Sequence, residues 1–362
     1  MHPSTIFALA VTIATCVPVP VSAQRLPFER SFELSGPAIL DVSTIRGKID
    51  VSVGEPGVVV VTGAVTIRTA WDVPANAADL ARTVVDHPPV ERDGNTFRLR
   101  APSGAAERRA VTVSYHVQVP PDTQVLAVSE SGATTVQSVS GAVTVRTQSG
   151  AIKLTQLGGT AGVTSGSGSV TIDGVAGALT VTTNSSAFVG RALNDSVRVR
   201  TASGAVDATL VGTGHADVET GSSVIRLRGI NGALKAVTRS GRVSIQGRPT
   251  SEWNVSTGSG GVDIAIDPAT PFSVQATSGS GSATLAGAVV NGSTSKRNVA
   301  GTVDGGGPLV RVNSRSGGVR ITVVAESSRP PVAGLRNHDH RESGGDHPAS
   351  VDRSSTVVPY SR

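Results

Sequence analysis

The chain has 362 residues, with 42 glycines, 3% aromatic and 16% charged residues and a formal net charge of +5. This composition is too apolar and too weakly charged for a disordered chain, and its length allows two ordinary domains or one long repeat array. The 32 basic and 27 acidic residues are interspersed rather than gathered into a patch, so nucleic acid is not predicted as a partner.

Residues 1–23 are typical of a signal peptide. A short apolar run covers Ile6–Val17, Pro18 and Pro20 follow it, and the small residues at 21–23 form a cleavage site. The run is too short to span a bilayer. The chain's one cysteine, Cys16, lies inside this leader, so the mature chain is expected to contain no disulfide and no thiol nucleophile. The sequence predicts an exported protein without a transmembrane segment, located in the periplasm, at the cell surface or in the medium.

Residues 24–130 predict an N-terminal β region that caps one end of the fold, because an open β edge invites aggregation. Segments 38–53 and 58–68 alternate apolar and polar residues and are predicted strands. A capping helix is predicted near residues 75–87. Its apolar residues at helical spacing are Ala77, Leu80, Ala81 and Val84.

Residues 131–326 repeat a serine every 18 or 19 residues, with a final interval of two periods. The repeated serines are Ser131, Ser149, Ser167, Ser185, Ser203, Ser222, Ser240, Ser259, Ser278 and Ser316. Eight of these ten serines precede glycine, and each is followed by alternating apolar positions. A fixed period of this length is the sequence signature of a solenoid.

Period-2 alternation predicts two short strands in each period, with one side buried. A single coil cannot bury its own apolar side, so coils must stack and share a core. The predicted fold is all-β, a single-stranded β-helix or β-solenoid with 18–19-residue coils and one short helix in the N-terminal region. Ser-Gly is placed at a corner, where glycine supplies a positive φ and serine bonds the turn. Residues 327–362 lack the period and predict a disordered tail.

The stretch VSYHVQVPPDTQVLAVSESGATTVQSVSGAVTVRTQSGAI begins at residue 113. It resembles the putative-adhesin family of β-strand-repeat proteins, a domain-of-unknown-function family of bacterial envelope and secreted proteins. The resemblance covers roughly residues 32–325 and implies a single-stranded β-helix without a catalytic motif. Some members of that family resemble accessory proteins of envelope-stress sensing.

Five charged residues are predicted to share outward columns on neighbouring coils. Asp217 and Glu219 lie on one side of one strand, Arg198 and Arg200 hold the same positions in the preceding coil, and Lys235 follows in the next. The pattern favours a ladder of ion pairs between strands. A charged binding strip and the paired carboxylates of a polysaccharide-active enzyme are the alternatives.

Two tryptophans receive different interpretations. Trp253 shares an inward column with Leu234 and Phe272 and is predicted to lie in the core, whereas Trp71 and Arg68 precede the helix and form a candidate contact site. A Ser/His/Asp triad is unsupported, since His215 is the one histidine of the repeats. The sequence predicts no enzyme, no cofactor and no metal site.

The sequence therefore favours a non-catalytic, exported binding or adhesion scaffold of the bacterial cell envelope. Its expected partner is an envelope protein or a surface glycan, and end-to-end self-association is left open. The alternative is an accessory protein in envelope-stress sensing that acts through one protein partner. A polysaccharide-active β-helix enzyme is less favoured.

Overall fold

The computed structural model describes residues 25–324, which form two long sheets that face each other across one mainly aliphatic core. We call the 14-stranded sheet "sheet A" and the 15-stranded sheet "sheet B". The prediction of an all-β solenoid is confirmed. The predicted signal peptide at residues 1–23 and the predicted tail at residues 327–362 lie outside the described residues.

The N-terminal elements supply strands to both sheets and two helices. They are β1 (Arg25–Glu33), β2 (Ile39–Thr44), β3 (Ile49–Val53), β4 (Val58–Ile67), α1 (Ala77–Asp86), β5 (Val90–Asp93), β6 (Thr96–Leu99), α2 (Ala105–Ala110) and β7 (Val111–Val119). The helix α1 lies inside the predicted segment, whereas α2, which packs against it, was not predicted.

Eight coils follow in chain order, and each gives one strand to sheet B and then one to sheet A. The sheet B strands are β8 (Gln124–Ser129), β10 (Val143–Thr147), β12 (Ala161–Ser165), β14 (Leu179–Thr183), β16 (Val197–Thr201), β18 (Ala216–Thr220), β20 (Leu234–Thr238) and β22 (Trp253–Thr257). The sheet A strands are β9 (Thr134–Gln137), β11 (Ile152–Leu157), β13 (Val170–Val175), β15 (Phe188–Leu193), β17 (Val206–Leu210), β19 (Ile225–Ile230), β21 (Val243–Gly247) and β23 (Val262–Ile266).

Six further strands complete the C-terminal end. They are β24 (Phe272–Ser278), β25 (Ala283–Ala286), β26 (Asn291–Ser295), β27 (Asn298–Val303), β28 (Leu309–Ser314) and β29 (Val319–Val323). The two-period interval before Ser316 therefore holds the β26–β27 hairpin and no extra coil. Ser278 pairs with Ser314 rather than with Ser316. Ser278 therefore lies two positions out of register with the other repeated serines.

Neighbouring coils pair in parallel and in register, so that equivalent residues form straight columns. Val143 pairs with Ala161 and Val145 with Val163, and their side chains point into the core. Trp253 has no exposed surface and its Nε1 donates to the carbonyl of Gly232 at 2.9 Å. The predicted core role of this tryptophan is confirmed.

Spatial order departs from chain order at both ends of the solenoid. In the N-terminal part, the β2–β3 coil lies between the later β6–β7 and β8–β9 coils. In the C-terminal part, the β28–β29 coil lies between the earlier β22–β23 and β24–β25 coils. Coils that precede residue 131 therefore share both sheets with the serial repeats, and the serial order itself begins at β8, before residue 131.

Glycine is required at the Ser-Gly corner for a different reason from the predicted one. None of the Ser-Gly glycines has a positive φ. A Cβ on Gly150 would instead overlap the carbonyl oxygen of Gly132 in the neighbouring coil, and a Cβ on Gly168 would overlap that of Gly150. Close stacking of the coils excludes a side chain here. Left-handed backbone occurs at the end of the sheet A strands, for example at Gln156, whose φ is 53°.

The hydroxyl that bonds the corner is also not the predicted one. Ser149 of the Ser-Gly pair is exposed, whereas Thr147, two residues earlier, is buried. The backbone N–H of Gly150 donates to Thr147 Oγ1 at 2.9 Å. A buried column of Ser and Thr hydroxyls thus closes the turns, because a buried N–H needs a partner.

Candidate functional site

The five charged residues come together on the outer face of sheet B. Strands β16, β18 and β20 are neighbours, and their register places Asp217 between Arg198 and Lys235, with Glu219 beside Arg200. The parallel pairing of coils produces this arrangement, since equivalent positions in successive coils lie about 4.8 Å apart. We call these five residues the charge ladder.

Each carboxylate of the charge ladder is shared by more than one cation. Arg198 Nε lies 3.2 Å from Asp217 Oδ2, Arg200 lies 3.6 Å from the same oxygen, and Lys235 Nζ lies 3.8 Å from Asp217 Oδ1. Glu219 accepts hydrogen bonds from Arg200 Nε at 3.2 Å and from Lys235 Nζ. Three cations face two carboxylates, so the ladder carries a surplus positive charge.

Asp217 is the most buried member of the ladder. Its side chain is 8% exposed, and within the described residues its Oδ1 has no hydrogen-bond partner. A buried carboxylate depends on its neighbouring cations, because loss of one partner leaves a charge without compensation. Asp217 therefore gathers the three cations at the centre of the ladder.

The pKa of Glu219 argues against a role for this residue as a catalytic acid. The hydrogen bonds from Lys235 and then from Arg200 hold the pKa of Glu219 below its usual value, and the bond to Glu219 raises the pKa of Lys235. A glycosidase needs a general acid whose pKa is raised so that it keeps its proton. Glu219 has the opposite shift, so it does not fit the acid role.

Trp71 lies apart from the charge ladder, on the connection between β4 and α1. Its side chain is 99% exposed. Arg68 is engaged elsewhere, because its guanidinium donates to the carbonyl of Arg109 at 2.8 Å and lies 3.7 Å from Asp72 Oδ1. The structure thus leaves Trp71 as an isolated exposed aromatic residue rather than part of a joint strip.

Sequence reasoning missed a groove beside the ladder, along the Ser-Gly corner of sheet B. Two adjoining depressions of about 540 and 680 Å³ share Thr238 and Arg239 in their walls. Arg200 and Glu219 line the first depression, and Arg315 lines the second. The sequence did carry a signal for this groove. The residue directly before the Ser-Gly pair is arginine in two coils, at Arg239 and Arg315.

The described part of the chain contains no group of three or more His, Cys, Asp and Glu residues placed to hold a metal ion. Among the same residues, neither helix has the length and apolar character needed to cross a membrane.

The family model described as Toastrack DUF4097 matches residues 113–322, which is more than half of the chain. A crystal structure described as "a putative cell adhesion protein from Clostridium sporogenes ATCC 15579" aligns with 83% of this chain and 100% of its own, at 10% identity and a TM-score of 0.23. No curated protein matches the chain.

Proposed function

The chain belongs to the Toastrack DUF4097 family, and on that premise we propose that it is an exported, non-catalytic β-solenoid scaffold that binds a partner or ligand in the bacterial cell envelope. The observation that carries this proposal is the charge ladder. Its charged side chains are held in columns on a regular sheet face, where they can contact the surface of a partner without rearrangement.

Binding accounts for the ladder better than catalysis does. The acid role of a hydrolase needs a carboxyl that holds and releases a proton near neutral pH. Glu219 is bound to two cations that favour its ionised form, and its neighbour Asp217 is surrounded by three. Fixed charges of this kind contribute specificity at an interface.

A protein partner, as in envelope-stress sensing, is the second candidate, and one observation favours it. Trp71 exposes 99% of its surface near the N-terminal end of the described chain. Tryptophan is enriched among residues that dominate the energetics of protein interfaces. An accessory role would place this side chain in a pocket of the partner.

The sequence left end-to-end self-association open. We propose that it occurs through the C-terminal end only. The outer strands of the N-terminal end carry charges and a proline, at Glu29, Arg30 and Pro27 in β1 and at residues 91–93 in β5. The outer strands β25 and β26 of the C-terminal end contain no charged residue. Charged residues and proline protect strand edges from pairing.

In-cell cross-linking of the tagged full chain tests the proposed function. We expect recovery from the envelope fraction or the medium, with residues 1–23 removed, and adducts with envelope glycans or proteins. One stoichiometric protein adduct that Trp71→Ala abolishes would favour the accessory role. Val289→Ala is the matched control, because Val289 is 87% exposed but lies at the other end. Recovery with cytoplasmic proteins alone would overturn the proposal.

A further inference from the structure

We propose that the groove along the Ser-Gly corner of sheet B binds a linear acidic polysaccharide. This inference rests on the proposed binding function and names its ligand class. We call this feature the corner groove; its walls include Thr182, Arg200, Arg239, Ser256, Asn313 and Arg315.

The corner groove is long and runs across the strands. Its lining residues come from β14, β16, β18, β20, β22, β28 and β24, which are consecutive neighbours in sheet B. Seven strands at the usual spacing span about 29 Å. An elongated depression of this length fits several units of an extended polymer better than it fits a compact small molecule.

Two arginines of the corner groove are available to bind an anionic ligand. Arg239 and Arg315 are exposed, and neither is ion-paired to a carboxylate in the described part of the chain. By contrast, Arg198, Arg200 and Lys235 are all ion-paired within the charge ladder. A free guanidinium can bind a carboxylate or sulfate through two parallel hydrogen bonds.

Glycines leave open space on both sides of each free arginine. In spatial order the column reads Gly221, Arg239, Gly258, Arg315 and Gly279. A Cβ at any of these three glycines would overlap the carbonyl oxygen of the preceding strand, so larger residues are excluded there. Arg239 and Arg315 therefore lie two strands apart, at about 10 Å, with backbone exposed between them.

The alternation exists only because the terminal coils are interlaced. In chain order Arg315 comes after Gly258 and Gly279, but β28 inserts between β22 and β24 and brings Arg315 between those two glycines. The separation of these two cations is thus a product of the tertiary structure. Two cations held at a fixed separation are suited to a ligand whose anions lie a similar distance apart.

The remaining lining residues favour a sugar polymer over a nucleic acid. Thr182, Ser256 and Asn313 offer hydroxyl and amide groups that can exchange hydrogen bonds with sugar hydroxyls. Among the described residues that line the groove, none is aromatic. Proteins that bind single-stranded nucleic acid rely on aromatic side chains for base stacking.

Binding of the full chain to polygalacturonate, a linear polyuronate, tests the inference, with neutral dextran as the comparison. We expect binding to polygalacturonate alone, weakened by added salt. The double variant Arg239→Gln/Arg315→Gln should bind about a hundredfold more weakly, because two charge-assisted contacts are lost and each is worth about one order of magnitude.

The matched control is Arg226→Gln/Arg320→Gln, which removes two exposed arginines from the outer face of sheet A that form no salt bridge within residues 25–324. This variant carries the same net charge and should keep near-wild-type affinity, and both variants should unfold at the wild-type temperature. Equal weakening by both variants, or no binding to polygalacturonate, would overturn the inference. Tighter binding to single-stranded DNA or to anionic vesicles would also overturn it.

The two proposals fail separately. If the Arg239→Gln/Arg315→Gln chain still captures the same envelope material in the cell, the scaffold function stands and the corner groove is rejected. If the chain is cytoplasmic, the scaffold function is rejected whatever the groove binds in vitro.

Discussion

Single glycines at the Ser-Gly corner hold neighbouring coils at their close spacing. The Cα of Gly150 faces the carbonyl oxygen of Gly132, and Gly168 faces Gly150 in the same way, so the column has no room for a Cβ. Gly162, on the outer face of β12, is different: its nearest neighbour to an added Cβ is Thr144 Oγ1, at 3.9 Å. Glycine has a steric role in the first position and none in the second.

We expect Gly150→Ala to lower the free energy of unfolding by about 1–3 kcal/mol, the usual cost of inserting a methyl group into a closely packed site. Gly162→Ala should change it by less than about 0.5 kcal/mol, as surface substitutions commonly do. Urea denaturation of the two variants and the wild type measures both values. Similar stability of the two variants would contradict the steric explanation.

Strand pairing converts a sequence spacing into a row of charges. Because β16, β18 and β20 pair in register, residues one coil apart become lateral neighbours on sheet B. The ion pairs of Glu219 are partly exposed, with 34% of the Glu219 side chain accessible, and ion pairs open to solvent stabilise a fold only modestly. The ladder nevertheless makes stability depend on pH, since it lowers the pKa of Glu219.

The sign of this dependence follows from the direction of the shift. Glu219 has a lower pKa folded than unfolded, so its ion pairs stabilise the fold above the unfolded pKa, and this contribution is lost as the pH falls through the folded pKa. We expect the free energy of unfolding to decrease between about pH 5 and pH 3, and Glu219→Gln to make that decrease smaller.

Urea denaturation over this pH range measures the difference. Glu252→Gln is the matched control, because Glu252 is exposed and lies outside the ladder. It should leave the pH dependence close to that of the wild type. A Glu219→Gln variant whose stability falls with pH as steeply as the wild type would show that the ladder is not coupled to folding.

At the scale of the whole described unit, both ends are interlaced. A serial solenoid leaves its first and last coils with one neighbour each. Here the β2–β3 and β28–β29 coils each have a neighbour on both sides, and the β4–β7 and β24–β27 pairings add antiparallel strands beyond them. Unwinding of either coil therefore breaks contacts with two others, which opposes fraying.

The two ends differ in how their outer strands are protected, and this difference predicts the direction of self-association. We expect the full chain to associate as its concentration rises, through the uncharged edge of β26, and Ser293→Lys to suppress this association by placing a charge there. Sedimentation velocity over a range of concentrations measures it.

Ser31→Lys provides the matched control, because it adds the same charge to β1, an edge strand at the opposite end that already carries charges. This variant should associate like the wild type. A monomeric wild type, or equal suppression by both variants, would contradict the assignment of self-association to the C-terminal end.

The sequence by itself determined the coil. A period of 18 or 19 residues with two alternating segments places aliphatic side chains in the core and charges in outward columns, and these follow from the local geometry of strands. The buried Trp253 and the lateral positions of Asp217 and Glu219 could be predicted for the same reason, and the helix α1 could be predicted from its apolar residues at helical spacing.

Only the tertiary structure decided how the coils are ordered and what the corners hold. Pairing of the terminal coils is non-local, and an aliphatic strand edge accepts several partners, so no periodicity in the sequence shows that β28 lies between β22 and β24. Three features depend on which strand lies next to a given strand in its sheet. They are the burial of Asp217, the steric role of Gly150, and the alternation of Arg239 and Arg315 with glycine. A repeat encodes each coil from local residues, whereas the neighbours of a coil are selected by packing across the whole sheet.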